Sequence, residues 1–231
     1  MRHRPARAAG SIRPDGQESR FVDVAIIGAG NIGKGLAGPL VKAGYAVHIT
    51  ARDVEGVREA ARETGATAAP DLRSAVEAAE VVVLAVPFSA AESVSHDLAP
   101  IIGDRVLVDV TNPAKPDWSG PLFAGNGSAA EQLAGWLPTA RVVKAFNTIF
   151  ASNLGRGGHL HGQALDAYLA GDDGAAKALV SELALALGFK PVDVGPLTAA
   201  RLLEALAWVN ISLNAQGGDW QSGWKLLGLA A

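Results

Sequence analysis

The chain has 231 residues, a formal net charge of −3 and 49% hydrophobic residues spread in short pieces. No apolar run is long enough to cross a bilayer and no global basic field is present, so neither a membrane nor a nucleic-acid partner is expected. With no cysteine, disulfides, thiolate catalysis and cysteine-ligated metals are excluded.

Residues 1–20 are polar and rich in arginine, proline and glycine. They lack the hydrophobic region of a secretory signal and read as a disordered extension or the product of an upstream start codon. A cytoplasmic location is the expectation. A first strand is predicted over 21–28, and it runs straight into the loop and helix GAGNIGKGLA. Gly28, Gly30 and Gly33 have the spacing a dinucleotide pyrophosphate requires. The first makes the tight turn, the second lets backbone approach phosphate, and the third lets the helix pack on its strand. Gly28, Ala29, Gly30, Asn31, Ile32 and Gly33 are therefore assigned to cofactor binding, with the helix amides and dipole meeting the anion.

The second strand, 45–51, ends in HITARD. An NAD site usually has an acid there for the ribose diol. Arg52 instead can pair with a 2′-phosphate through its planar fork, with a hydroxyl hydrogen bond from Thr50 and the backbone of Ala51 alongside. This favours NADP over NAD. The alternative is a solvated Arg52 and an Asp53 that merely caps the next helix. Asp53 lies one position beyond the usual acid, which leaves dual use open.

The third long strand, 81–86, is closed by Ala85, Val86 and Pro87, where a proline stops the strand and exposes backbone to the ribose or nicotinamide. Phe88 either walls the ring or is simply buried. The strand at 105–110 ends in Thr111, Asn112 and Pro113; Asn112 can bond the carboxamide or ribose, or belong to a plain Asn-Pro turn. The strand at 141–146 carries Ala145 into Phe146, Asn147 and Thr148. Polar residues that suddenly end a buried strand favour a ligand role for Ala145 and Asn147. Further strands are expected at 164–170 and 190–194, with helices at 71–79, 90–99 and 174–187. The last helix, 198–216, leads to a turn and a short final helix.

Continuous apolar strands alternating with helices predict an α/β fold, a Rossmann-type doubly wound, mostly parallel sheet with a small C-terminal helical part. The ligand crevice then lies at the carboxyl ends of the strands. The expected organisation is an extension at 1–20, an NADP-binding domain at 21–197 and a helical segment at 198–231 that contributes to the acceptor site. No Ser-His-Asp set or paired carboxylate is evident, so no catalytic side chain is assigned. His159 and His161 form the only close histidine pair, and without a third ligand they read as part of a glycine-rich loop; no metal is expected.

The GAGNIGKGLA loop, the arginine after the second strand, and the segments LAVP, DVTNP, VVKAFNTI and GWKLLG resemble the coenzyme F420-dependent NADP oxidoreductase family. The soluble domain of the STEAP metalloreductases is similar too. The resemblance spans about residues 22–229, and VVKAFNTI is its most specific element. It implies hydride transfer between NADPH and a deazaflavin, with NADP as cofactor and coenzyme F420 or a flavin (FMN or FAD) as the small-molecule acceptor. Ala51 and Ala29 depart from the hydroxyl residues common there, which weakens a 2′-phosphate clamp without abolishing it.

Positioning supplies most of the catalysis in such a transfer. Trp208, Trp220 and Trp224 either flank a planar acceptor or pack a core or a homodimer interface. Arg201, Lys144 and Arg156 are candidates for a basic pocket around an anionic tail. The alternatives are a reductase of another small acceptor, such as ferric chelates through a flavin, and a non-catalytic NADP(H)-binding redox sensor.

Overall fold

A computed structural model describes residues 22–228, and the extension at 1–20 lies outside them. Six strands run parallel: β1 (Val24–Ile27), β2 (Val47–Thr50), β3 (Thr67–Ala68), β4 (Val81–Leu84), β5 (Val106–Asp109) and β6 (Arg141–Ala145). Their order, β3-β2-β1-β4-β5-β6, reverses direction between β1 and β4, the switch point at which doubly wound sheets open a crevice. The Rossmann-type reading from the sequence is thus the architecture of the protein.

Helices α1 (Asn31–Lys42), α2 (Val54–Thr64), α3 (Leu72–Ala78), α4 (Phe88–Ile102) and α5 (Ala129–Trp136) make the crossovers. Strand β1 shows why the strands are apolar throughout. Val24 and Ile26 enter one core with Leu36 and Leu40 of α1, while Ala25 and Ile27 enter a second with Ala75 of α3 and Leu98 of α4. A strand covered on both faces has no polar side to show.

The last part of the sheet departs from parallel. After β6 the chain makes one turn of helix, α6 (Ala151–Leu154), and a hairpin of β7 (His159–Leu160) and β8 (Gln163–Ala164). No long crossover helix intervenes, so β9 (Asp166–Gly171) returns antiparallel to β6. Helix α7 (Gly174–Ala186) then restores a crossover, and β10 (Lys190–Asp193) lies parallel to β9. The predicted histidine loop is this hairpin; His159 Nδ1 lies 2.7 Å from Gly157 O, and no metal-ligand cluster occurs among the described residues.

The long final helix begins as a 3-10 turn at Leu197–Ala199 and continues as α8 (Ala200–Ala215). Among the described residues no short helix follows it: residues 217–228 form an irregular strap. Several of its backbone groups find partners across the fold. Ser152 Oγ donates to Trp220 O at 2.6 Å, Asn153 Nδ2 donates to Gln221 O and Ser222 O, and Leu226 N donates to Asp166. Those bonds take the groups that a helix would have used. No described helix is long and apolar enough to cross a membrane.

Candidate functional site

A cleft of about 670 Å³ opens at the switch point between β1, β2 and β4. Nine predicted residues line it: Gly28, Ala29, Gly30, Thr50, Ala51, Arg52, Ala85, Val86 and Pro87. The three glycines of the loop differ in what holds them. Gly28 has φ +122°, and a Cβ there would lie 2.1 Å from Ala85 O. A Cβ on Gly33 would lie 1.9 Å from Gly28 O, so the turn of β1 into α1 closes only without that atom. Gly30, which caps α1, is exposed, and a Cβ there would meet nothing within 4 Å. The fold explains the first and third glycines; open space over a helix N-terminus explains the second, and that space fits a phosphate.

Arg52 is exposed and has no hydrogen-bond or ion-pair partner among the described residues. Asp53 does cap α2: its Oδ1 accepts the Glu55 amide at 3.1 Å. Asp71, also in the cleft lining, caps α3 by accepting the Ser74 amide, which holds its carboxyl below the usual range. Both acids are thus engaged in helix starts while the guanidinium is left free to meet an anion.

The remaining predicted residues lie elsewhere. Asn31 is exposed in the first turn of α1, and Ile32 packs against the core below it. Ala145 is fully buried at the end of β6. Asn112 and Asn147 are joined to each other: Asn112 Nδ2 donates to Asn147 O at 2.6 Å, and Asn147 Nδ2 donates to Asn112 Oδ1 at 2.9 Å. Asn147 Nδ2 also donates to Leu203 O of α8. Around this pair the hydroxyls of Thr111 and Thr148 and Asn147 Oδ1 are buried without a partner among the described residues, an excess of polarity at the ends of β5 and β6. Phe88 takes the ordinary role, stacked on Trp136 at 6.1 Å and edge-on to Phe123.

An ion network that sequence reasoning missed lies beneath these turns. Lys144, with no solvent exposure, donates to Asp109 Oδ2 at 2.9 Å, to Glu204 Oε1 of α8 at 2.8 Å and to Thr111 O. Glu204 Oε1 also accepts the Ala129 amide that opens α5. Burial raises the Glu204 carboxyl above its ordinary value, with Lys144 opposing the shift. One cation therefore ties β5, β6 and α8 together. Its only sequence trace is a lysine inside the apolar strand VVKAF, which requires a buried counter-charge.

This corrects the expectation of a basic pocket. Lys144 is inaccessible, Arg201 makes a two-pronged bond to Glu131 at 2.8 and 2.6 Å, and Arg156 donates to Gln221 Oε1. The three cations belong to separate contacts.

A second groove, of about 530 Å³, lies where α8 and the strap meet the loops that follow β5 and β6. It is lined by Trp118 to Pro121, Phe150, Trp208, Ile211, Ser212, Ala215 and Trp220. Trp208 is buried and donates Nε1–H to Pro113 O at 3.2 Å, fixing α8 to the turn after β5. Trp220 meets Phe150 edge-to-face at 5.4 Å. Trp118 and Trp220 are 74% and 45% exposed, so these two do not serve a core. Trp224 packs against the second core instead.

Residues 23–113 match the family model described as NADP oxidoreductase, coenzyme F420-dependent. The F420-dependent NADP reductase of Methanothermobacter marburgensis is 33% identical over 222 residues, covering 87% of this chain and 96% of that protein. The metalloreductase STEAP3 of Rattus norvegicus is 35% identical over 183 residues, 79% of this chain, but the chain spans only 36% of that protein's length. Among solved structures, a candidate F420-dependent NADP reductase from Arthrobacter sp. FB24 superposes with a TM-score of 0.80 at 28% identity, covering 89% of this chain and 99% of the other.

Proposed function

Because this chain belongs to the coenzyme F420-dependent NADP oxidoreductase family and is an NADP-dependent oxidoreductase of it, we propose that it carries hydride between NADPH and a deazaflavin (coenzyme F420) or flavin ring. The observation that carries this reading is the placement of two cavities on one sheet edge: a glycine-loop cleft at the switch point, and an aromatic groove beyond the ends of β5 and β6.

In this reading the turn Gly28–Gly33 and the start of α1 hold the pyrophosphate, and Arg52 with Thr50 holds the 2′-phosphate. The backbone of Ala85, Val86 and Pro87 lies along the ribose and ring. Asn112 and Asn147, in the turns that follow β5 and Ala145 of β6, form the polar end of the crevice at which a carboxamide is oriented. Residues 198–228 build the acceptor side. Bound there, NADPH would supply a hydride from nicotinamide C4, and a ring acceptor would take it together with a proton from water. The chain's own work is orientation and exclusion of solvent, which needs no proton-transferring side chain. The likeness to STEAP3 supports a second acceptor reading, a flavin that passes electrons to ferric chelates. A cytoplasmic homodimer, paired through the exposed Val209 and Leu213 of α8, completes the reading and is tested by light scattering.

Stopped-flow oxidation of NADPH with F420, FMN, FAD and ferric citrate offered in parallel tests the chemistry. Turnover with F420 or a flavin supports it. Tight NADPH binding with no turnover on any acceptor overturns it and leaves a nucleotide-binding sensor.

A further inference from the structure

The two exposed tryptophans of the second groove are mounted in the same way. In Asp117-Trp118-Ser119 the Asp117 carboxylate accepts the Ser119 amide at 3.0 Å, and in Asp219-Trp220-Gln221 the Asp219 carboxylate accepts the Gln221 amide at 3.1 Å. Between them Trp118 has φ +58° and Trp220 φ +57°, a left-handed conformation that bulky residues rarely adopt. Two chain segments about a hundred residues apart thus use one device to bring an indole to one groove. Trp220 is held further: its N–H donates to Asn214 Oδ1 and its carbonyl accepts from Ser152 Oγ. Strain repeated at a shared cavity points to a ligand that needs both rings.

The charges around that groove balance. None of its lining residues is charged. Each of the two exposed groove tryptophans follows an aspartate, and the Ser119 amide keeps the Asp117 carboxyl below its usual range, hence ionised. Lys115 is the one basic residue in the adjacent turn, against these two acids. Arg201 and Lys144 are committed to Glu131 and to the buried network, whereas Arg156 donates to the neutral amide of Gln221 and keeps its charge, so with Lys115 two bases stand against the two acids. Their sum gives phosphate or carboxylate no net attraction to the groove.

Resting on the reading that a ring acceptor enters this groove, we infer that the acceptor is recognised as a planar, uncharged isoalloxazine-type ring stacked on Trp118 and Trp220, and that an anionic tail adds nothing to its binding. Steady-state kinetics at saturating NADPH, with the full chain, decide this with two pairs of acceptors. One is F420 against its tail-less deazaflavin core; the other is FMN against riboflavin. The tail-less member of each pair is expected to match its partner in kcat/KM, and added salt to leave that ratio unchanged. Trp118→Ala and Trp220→Ala, both at exposed positions, are expected to raise the acceptor KM about tenfold, the scale of one lost ring stack, with the Kd for NADPH unchanged. A tail advantage of about tenfold or more, or tryptophan variants with an unaltered acceptor KM, overturns the inference. If no acceptor turns over, the hydride-transfer reading fails separately. Riboflavin quenching of tryptophan fluorescence then decides the groove: saturable quenching lost in both variants upholds it, and none overturns it.

Discussion

The nucleotide cleft and the aromatic groove are built on opposite plans. The cleft is made of contiguous main chain: the turn Gly28–Gly33, the end of β2 and the end of β4, each a few residues long. Its shape follows from backbone sterics, and the one cation in its lining is Arg52. The groove is assembled from the loop around Trp118, from Phe150, and from α8 and the strap, brought together over a hundred residues of chain. Its rings are held by Asx turns, by Trp208 bonded to Pro113 O and by the Lys144 network beneath. A site made of local backbone survives many changes elsewhere. A site made of distant side chains depends on the buried groups that hold its parts in register.

The largest expected effect breaks the groove from below. Lys144→Met leaves Asp109 and Glu204 buried without their cation, and should lower the unfolding free energy in urea by about 3–5 kcal/mol. An unchanged midpoint would show that the network does not tie α8 down. Next, the glycines separate fold from ligand within the cleft. Gly33→Ala forces a Cβ against Gly28 O and should cost about 3 kcal/mol of stability, whereas Gly30→Ala should unfold like the wild type yet bind NADPH more weakly in calorimetry. Equal stability losses in both would refute that division.

Arg52→Ala should weaken NADPH by about 2 kcal/mol, close to thirtyfold in Kd, and leave NADH almost unaltered. Equal losses for both nucleotides would remove the 2′-phosphate assignment. The smallest effect is one of pH. Glu204 has a folded pKa above its unfolded value, so the unfolded state loses its proton first as pH rises. This group alone therefore adds stability as pH falls from the raised value towards 4.5, the opposite of Asp71, Asp117 and Glu131, whose lowered values withdraw stability on acidification. Urea titrations of the wild type and Glu204→Gln across that window should differ in slope, the variant losing stability more steeply towards acid; parallel profiles would sink the assignment.

The parallel half of the sheet was legible in the residues because each feature is local. Short apolar runs buried on both faces announce β1, β4 and β5, and the glycine spacing announces the turn into α1. The antiparallel return of β9 was not legible, since strand direction depends on the connection and not on the strand's own composition. Nor was the absent final helix, because the strap's hydrogen bonds run to Ser152, Asn153 and Asp166 in other elements. Lys144, Arg201 and Arg156 looked equally available in one dimension, and only their partners distinguish a buried cation from surface pairs.

The sequence by itself determined the doubly wound sheet, the glycine turn and the arginine at the end of β2, since backbone sterics and strand burial act over a few consecutive residues. The tertiary structure alone decided that α8 is fastened through Lys144, that Asn112 and Asn147 face each other, and that Trp118 and Trp220 share a groove. Those outcomes depend on which distant side chains meet, and in a single chain nothing but folding brings them within bonding distance.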